Sequence, residues 1–283
     1  MLEKIKKYYH FQKFEKALLI AKRQFKKFPN NLEYAYLLGL IYYSLDKFSA
    51  SNKFLNLFLE HNPNQADALI ARMHCLRSMN RYDEAIDILT KLLDLDTRTS
   101  DIYLFLGECY LKSSKVEIAK EHFNKSYEID SSKTNVLNIF KIYSDSNYRE
   151  EASMILKKSS FFKKDDDIIL KYCTNQLVYN LRGFEEVHKL LIQLVKKDIT
   201  NSKIYNLLGI SSLILGDIQD AKNYFLKSID LFQNNSDDIS SFISDVASSY
   251  YQLAKMNYQF DNNKIDKLKY ILNQSKNNEV KAL

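Results

Sequence analysis

The side chains that could do chemistry in this 283-residue chain are few and scattered. Its five histidines, His10, His61, His74, His122 and His188, never pair at metal-ligand spacing. The nearest approach is Glu185-x-x-His188, half of a carboxylate-bridged di-iron ligand set, which needs a second copy and two more inward-facing carboxylates. Its plainer reading is the exposed start of a helix. Cys75, Cys109 and Cys173 are odd in number and fall in helical apolar stripes, the pattern of reduced buried thiols rather than disulfides. There is no CxxC, GxxxxGK[ST], GxGxxG or GxSxG, so zinc, phosphate and acyl-transfer chemistry have no support. No catalytic, cofactor-binding or metal-binding residue is assigned, no cofactor is expected, and the chain is expected not to be an enzyme.

The elements that would position any site are helices. In Ser100 to Lys133, Tyr103, Leu106, Gly107 and Tyr110 fall at i, i+3, i+4 and i+7, the apolar stripe of one amphipathic helix. After the polar break Lys112 to Lys115, Ala119, Phe123 and Ser126 continue at helical spacing. Two such helices form a hairpin whose closest contacts fall on the small residues Gly107 and Ala119. A lone hairpin cannot bury both faces, so self-similar neighbours are expected.

They recur every 34 residues. From Gly107 the step gives Met73 and Gly39 backward and Lys141, Asn175 and Gly209 forward. From Ala119 it gives Ala85, Ser51 and Ala17, then Ser153, Val187 and Ala221. Tyr42, Leu76 and Tyr110 repeat in the first helix, and Leu89, Phe123, Leu191 and Phe225 in the second. Pro29 and Pro63 sit at one phase and punctuate successive hairpins. Units are expected at 1–31, 32–65, 66–99, 100–133, 134–167, 168–201 and 202–235, with Gly183 and Gly216 in tight turns and Asn234-Asn235 closing the seventh. Beyond them, Ile239, Ile243, Val246, Tyr250 and Leu253 keep one stripe. Residues 236–278 are read as a long helix followed by a shorter cap containing Ile265, Leu268, Ile271 and Leu272. An eighth hairpin with Ala254 at the small position is the alternative, and 279–283 are expected to fray.

This pattern resembles the tetratricopeptide repeat family. The resemblance rests on Leu38-Gly39, Leu106-Gly107 and Leu208-Gly209, on Tyr42 and Tyr110, on Tyr82-Asp-Glu-Ala85 and Phe184-Glu-Glu-Val187, and on Pro63. It covers about residues 1–235. Tyr103, Leu69 and Tyr205 stand where the family carries Trp, and Lys141 stands where it carries Gly. The resemblance implies an all-α, right-handed superhelical solenoid of antiparallel helix hairpins, here with a C-terminal capping helix. It also implies that positions 2, 5, 9 and 12 of each first helix line a concave groove.

Read in this register, the expected partner-binding groove comprises Tyr36, Leu40 and Tyr43; Ile70, His74 and Arg77; Leu104, Glu108 and Leu111; Tyr172, Gln176 and Tyr179; and Ile210 and Leu213. Tyrosine supplies large contact area plus a hydroxyl, the chemistry of binding hot spots. Tight curvature that packs first helices on one another would instead make some of these residues core. Family members that bind acidic chaperone tails use a carboxylate clamp of Lys and Asn. Here the ninth position is never Asn and the fifth never Lys, so that role is disfavoured.

Composition adds bounds. Five Gly, two Pro and no alternating pattern leave little room for a sheet, and no run of about 18 apolar residues could span a membrane. The start, MLEKIKKYYHFQKFEKALL, lacks a signal-peptide core, so a cytoplasmic location is expected. A targeting or anchor segment upstream of Met1 stays open. Nine basic residues (Lys4, Lys6, Lys7, Lys13, Lys16, Lys22, Arg23, Lys26 and Lys27) face only Glu3 and Glu15 before residue 32, so the whole net charge of +6 resides there. This patch reads as a solvated cap, or as attraction for an acidic partner, a membrane surface or nucleic acid. In the fifth unit, Asp165 to Asp167 should cap the helix starting near Ile168, and Phe161-Phe162 is read as tucked under a distorted repeat or as a partner anchor.

The expected function is a protein-interaction scaffold or assembly adaptor holding a segment of a partner protein in the tyrosine-rich groove. The alternatives are nucleic-acid or acidic-surface binding through the basic hairpin, and peptide sensing by change of curvature. Nucleic acid is disfavoured because basic residues do not continue along the groove. A homo-oligomer stays open.

Overall fold

Sixteen α-helices and no strand occur among the described residues. The computed structural model describes residues 1–95, 98–179, 181–197, 201–231 and 239–274, with side-chain surroundings for all of these but 239–243 and 271–274. The chain divides into two compact units, Met1–Ile142 and Tyr143–Leu283.

Unit 1 contains α1 (Leu2–His10), α2 (Phe14–Lys27), α3 (Leu32–Ser44), α4 (Phe48–His61), α5 (Ala66–Ser78), α6 (Tyr82–Asp94), α7 (Ser100–Lys112) and α8 (Val116–Ile129). The division falls within α9 (Lys133–Asp145). From α1 to α8 each helix packs on the next, as in a solenoid whose repeats touch only their neighbours. Unit 2 contains α10 (Arg149–Lys158), α11 (Asp166–Val178), α12 (Phe184–Lys196), α13 (Ser202–Leu215), α14 (Ile218–Asp230), α15 (Ile239–Lys255) and α16 (Asn262–Gln274). Sequential packing continues there, with α15 lying against both α13 and α14.

Glycine sets how closely a hairpin closes. A Cβ added to Gly107 would lie 2.5 Å from Cε1 of Phe123, and one on Gly39 would lie 2.7 Å from the Leu55 side chain. Gly209 meets Phe225 in the same way, and these three hairpins pack most intimately. The small position opposite adds a polar tie, because Ser51 Oγ donates to the Gly39 carbonyl at 2.7 Å. Where glycine is absent, the substitutes behave differently. Met73 is buried; Asn175 Nδ2 bonds the Arg149 carbonyl and Ser153 Oγ, each at 2.7 Å; Lys141 reaches the surface.

The turns inside the hairpins repeat with the same period. Gln12, Asp46, Asn80 and Ser114 have φ of 55°, 56°, 58° and 62°. The residue after each donates its N–H five positions back: Lys13 to Tyr8, Lys47 to Tyr42, Arg81 to Leu76 and Lys115 to Tyr110, at 2.8–2.9 Å. This is the Schellman closure of a helix C-terminus, with the left-handed residue at its corner. In unit 2, Gly216 (φ 91°) serves the same corner and Asp217 N donates to the Ser212 carbonyl. Gly183 (φ 82°) precedes α12. Between hairpins, Asn31, Thr99, Asp165 and Asn201 cap α3, α7, α11 and α13 through their side chains.

The connection from α10 to α11 is irregular. Its Phe162 is buried and meets Tyr172 edge-on at 4.9 Å, while Phe161 is half-buried. At the C-terminal end, Val246, Tyr250 and Leu253 of α15 join Ala221, Phe225 and Ile229 of α14 in one cluster, and Tyr250 Oη donates to the Lys264 carbonyl. Ala254 is exposed and so does not take the interhelical position. Asn234-Asn235, the side chains of Ile239, Ile243, Ile271 and Leu272, and residues 279–283 lie outside the described residues. No described helix is long and apolar enough to cross a membrane.

Candidate functional site

In unit 1 the face read as a groove is half-open. Tyr36, Leu40 and Tyr43 of α3, Ile70, His74 and Arg77 of α5, and Glu108 of α7 are all partly exposed. Leu104 (5% exposed) and Leu111 (3%) are not; both are buried. The structure also adds Phe105, which the register passed over by one residue. It lies three positions before Glu108, on the same side of α7, and that i, i+3 relation is the signal that would have found it.

The geometry of this face is aromatic at one end and charged at the other. Tyr36 lies over Phe58 with ring centroids 4.8 Å apart, and both line an open cavity of about 930 Å³ with Phe28, Asn31, Asn62 and Gln65. Tyr43 stands 6.2 Å from His74, whose ring meets Phe105 edge-on at 5.1 Å. The Arg77 guanidinium sits 4.2 Å above the Phe105 ring and pairs with the Glu108 carboxylate, both side chains being about four-fifths buried.

Protonation follows from these contacts. His74 Nδ1 is 3.2 Å from Arg77 Nη1, which can only donate, so the imidazole accepts and carries its proton on Nε2. Burial, reinforced by the Arg77 charge, lowers the His74 pKa and keeps the ring neutral. Burial likewise raises the phenols of Tyr36 and Tyr43, which stay protonated as hydrogen-bond donors. Arg77 Nε is buried without a partner, so this cluster holds an unused donor.

In unit 2 the corresponding positions are mostly closed. Tyr172 (3% exposed) lies under Phe162, its hydroxyl 3.4 Å from Glu186 Oε2, and Lys157 Nζ bonds that same oxygen at 2.7 Å. Gln176 (8%) is buried, with Oε1 lacking a partner. These two residues are buried, and both reach the wall of an open cavity of about 330 Å³ beside Lys157 and Arg182. Tyr179 is exposed but carries the Arg149 guanidinium 3.9 Å from its ring centre. Ile210 and Leu213 are half-buried against the α14–α15 cluster.

The remaining candidates sort simply. All nine basic residues of the first hairpin are exposed, with Lys6 3.9 Å from Glu3, Lys22 over Tyr42 and Lys27 over Phe28. His188 bonds Ser211 Oγ at 2.9 Å, and no metal-competent group of His, Cys, Asp or Glu occurs among the described residues. Cys75, Cys109 and Cys173 are buried free thiols; burial pushes Cys109 and Cys173 up to about 12, so neither is a nucleophile at neutral pH. Asp165 Oδ1 accepts from the backbone N–H of Asp167 and Ile168.

Two family models match the chain. The one described as tetratricopeptide repeat matches residues 100–133 and 202–235, and the one described as anaphase-promoting complex, cyclosome, subunit 3 matches residues 11–92. A curated relative, the transcription factor tau 131 kDa subunit of Saccharomyces cerevisiae, is 32% identical over 109 residues. That match spans 38% of this chain and only 10% of the relative's length. Among solved structures, the C-terminal part of a TPR repeat-containing protein from Cytophaga hutchinsonii superposes with a TM-score of 0.59 at 13% identity, covering 87% of this chain and 98% of that one. A tetratricopeptide repeat protein from Parabacteroides merdae gives 0.53 at 14%, covering 88% and 97%.

Proposed function

Because the chain is a tetratricopeptide repeat protein, we propose that it is a non-catalytic interaction scaffold, and that the half-open face of unit 1 holds a segment of a partner protein. The observation that carries this reading is the row Tyr36, Tyr43, His74, Phe105 and Arg77, aromatic and cationic side chains on three first helices, beginning at the cavity beneath Tyr36. Such side chains give large, rigid contact area with polar tips. Arg77, already desolvated and held between Phe105 and Glu108, adds a fixed cation to this row. The subunit names of the cyclosome family model and of the yeast relative describe components of assemblies, which supports an adaptor role.

The test is a Tyr36→Ser/Tyr43→Ser double variant. A partner recovered with the wild-type chain should be lost with the variant while far-ultraviolet circular dichroism stays unchanged. Equal recovery at unchanged helicity would refute the reading.

A further inference from the structure

One face recurs under every preceding hairpin except the first. On α3, Leu37, Leu38, Ile41 and Tyr42 are at most 9% exposed and cluster with Ala17, Leu18 and Ala21 of α2, with Leu45 partly buried beside them. The same cover is provided by α4 on α5 and by α6 on α7. One step back in the repeat, these positions become Glu3, Lys4, Lys7 and Tyr8 of α1 and Phe11 just after it. Of these, Tyr8 is partly packed on the neighbouring core. Lys4 and Lys7 are exposed, Tyr8 is half-buried and Phe11 is 59% exposed. Together with Lys13 these five residues line an open cavity of about 540 Å³. A face that served solvation alone would present polar groups there, not two aromatic rings.

We propose that this face binds an acidic amphipathic helix of a partner protein, seated on α1 as α2 is seated on α3. The face has the ridge spacing that accepts a helix three times over in this unit, which favours a helix over an extended strand of nucleic acid. Its rim, Lys4, Lys7 and Lys13 against the single Glu3, is net positive and selects negative flanks, and its floor, Tyr8 and Phe11, selects an apolar stripe. α6 shows the type of occupant: it buries Ala85, Ile86, Ile88, Leu89 and Leu92 while carrying Asp83, Glu84, Asp87 and Asp94 against one lysine. This surface is distinct from the face proposed above, and either can fail alone.

The experiment titrates the full chain with a fluorescent, helix-stabilised peptide of the sequence Tyr82–Asp94, reading anisotropy. A scrambled peptide of the same composition and a single-stranded oligonucleotide of 20 nucleotides serve as comparators. The helix should bind saturably, at least about tenfold more tightly than the scramble, and Phe11→Ser or Lys4→Glu/Lys7→Glu should each weaken it about tenfold. Phe11 and both lysines are exposed, so thermal melts should not change. Absence of saturable binding, equal binding of the scramble, or binding insensitive to both variants would overturn the proposal. Tighter oligonucleotide binding that ignores Phe11→Ser would overturn it in favour of a polyanion surface.

Discussion

Tyr36 and Tyr43 occupy the same two repeat positions as Tyr172 and Tyr179 four hairpins later, yet the pairs have different fates. In unit 1 both rings remain half-exposed, one above Phe58 at a cavity and one beside His74. In unit 2 Tyr172 is buried beneath Phe162 with its hydroxyl beside Glu186, and Tyr179, though exposed, carries Arg149 over its ring. A repeat position fixes where a side chain starts; its neighbours outside the repeat pattern decide whether it meets solvent. The same residue type at the same phase, Tyr36 and Tyr172, is therefore half-open in one unit and buried in the other.

The sharpest break of this comparison is truncation. Tyr172→Ala should destabilise unit 2 by roughly 3 kcal/mol, as for other large buried aromatics, whereas Tyr36→Ala should cost unit 1 about 1 kcal/mol or less because less of it is buried. Hydrogen exchange read on peptides from α11 and α3 separates the two effects; equal losses would contradict the assignment of Tyr172 to the core. Next comes the hairpin seam. Gly107→Leu should lower stability by ~1–3 kcal/mol through overpacking against Phe123, while Met73→Leu at the same phase should cost less than about 1.5 kcal/mol. An unchanged melt for Gly107→Leu would remove the seam from the account.

Acidification should move the two units in opposite directions. His74 has a folded pKa lowered by burial and by Arg77, with Asp101 opposing. The unfolded chain therefore binds the proton first, and the stability of unit 1 falls as pH drops below the ordinary histidine value near 6.5. Asp245 in unit 2 is pushed by burial up to about 6, with Lys203 opposing. The native state binds that proton first, so its contribution is present at low pH and is lost as pH rises through about 6. Melts at pH 7.5 and 5 should show His74→Gln losing less stability than wild type, and Asp245→Asn gaining less. Parallel shifts in both variants would contradict the environments described. The smallest effect concerns the turns: Ser114→Gly should stabilise unit 1 by about 0.5 kcal/mol by relieving left-handed strain, and Gly216→Ala should cost unit 2 about 1 kcal/mol.

Much of the fold was legible because close approach of two helices leaves a mark at a single position. Gly39, Gly107 and Gly209 against Ala17, Ser51, Ala85, Ala119 and Ala221 reveal both the period and the hairpin. The Schellman corners stayed hidden, since Gln12, Asp46, Asn80 and Ser114 take a left-handed backbone without being glycine, and only hydrogen-bond geometry exposes them. The candidate site was legible as a list of positions but not as a surface. Leu104, Leu111, Tyr172 and Gln176 fit the register and are nonetheless covered. For Tyr172 the cover comes from Phe162, on the one connection that departs from the repeat. Phe105 was passed over because a helix face is wider than one position, and the cation above it identifies it.

The central claim is that unit 1 presents the binding face and the matching face of unit 2 does not. Photo-crosslinking from benzoylphenylalanine placed at position 43 or position 179 tests it most directly, with purified wild-type or Tyr36→Ser chain as competitor. The account predicts a discrete crosslinked partner from position 43, suppressed by wild-type chain and not by the Tyr36→Ser chain, and none from position 179. The same partner captured equally from both positions, or suppressed equally by both competitors, would contradict it.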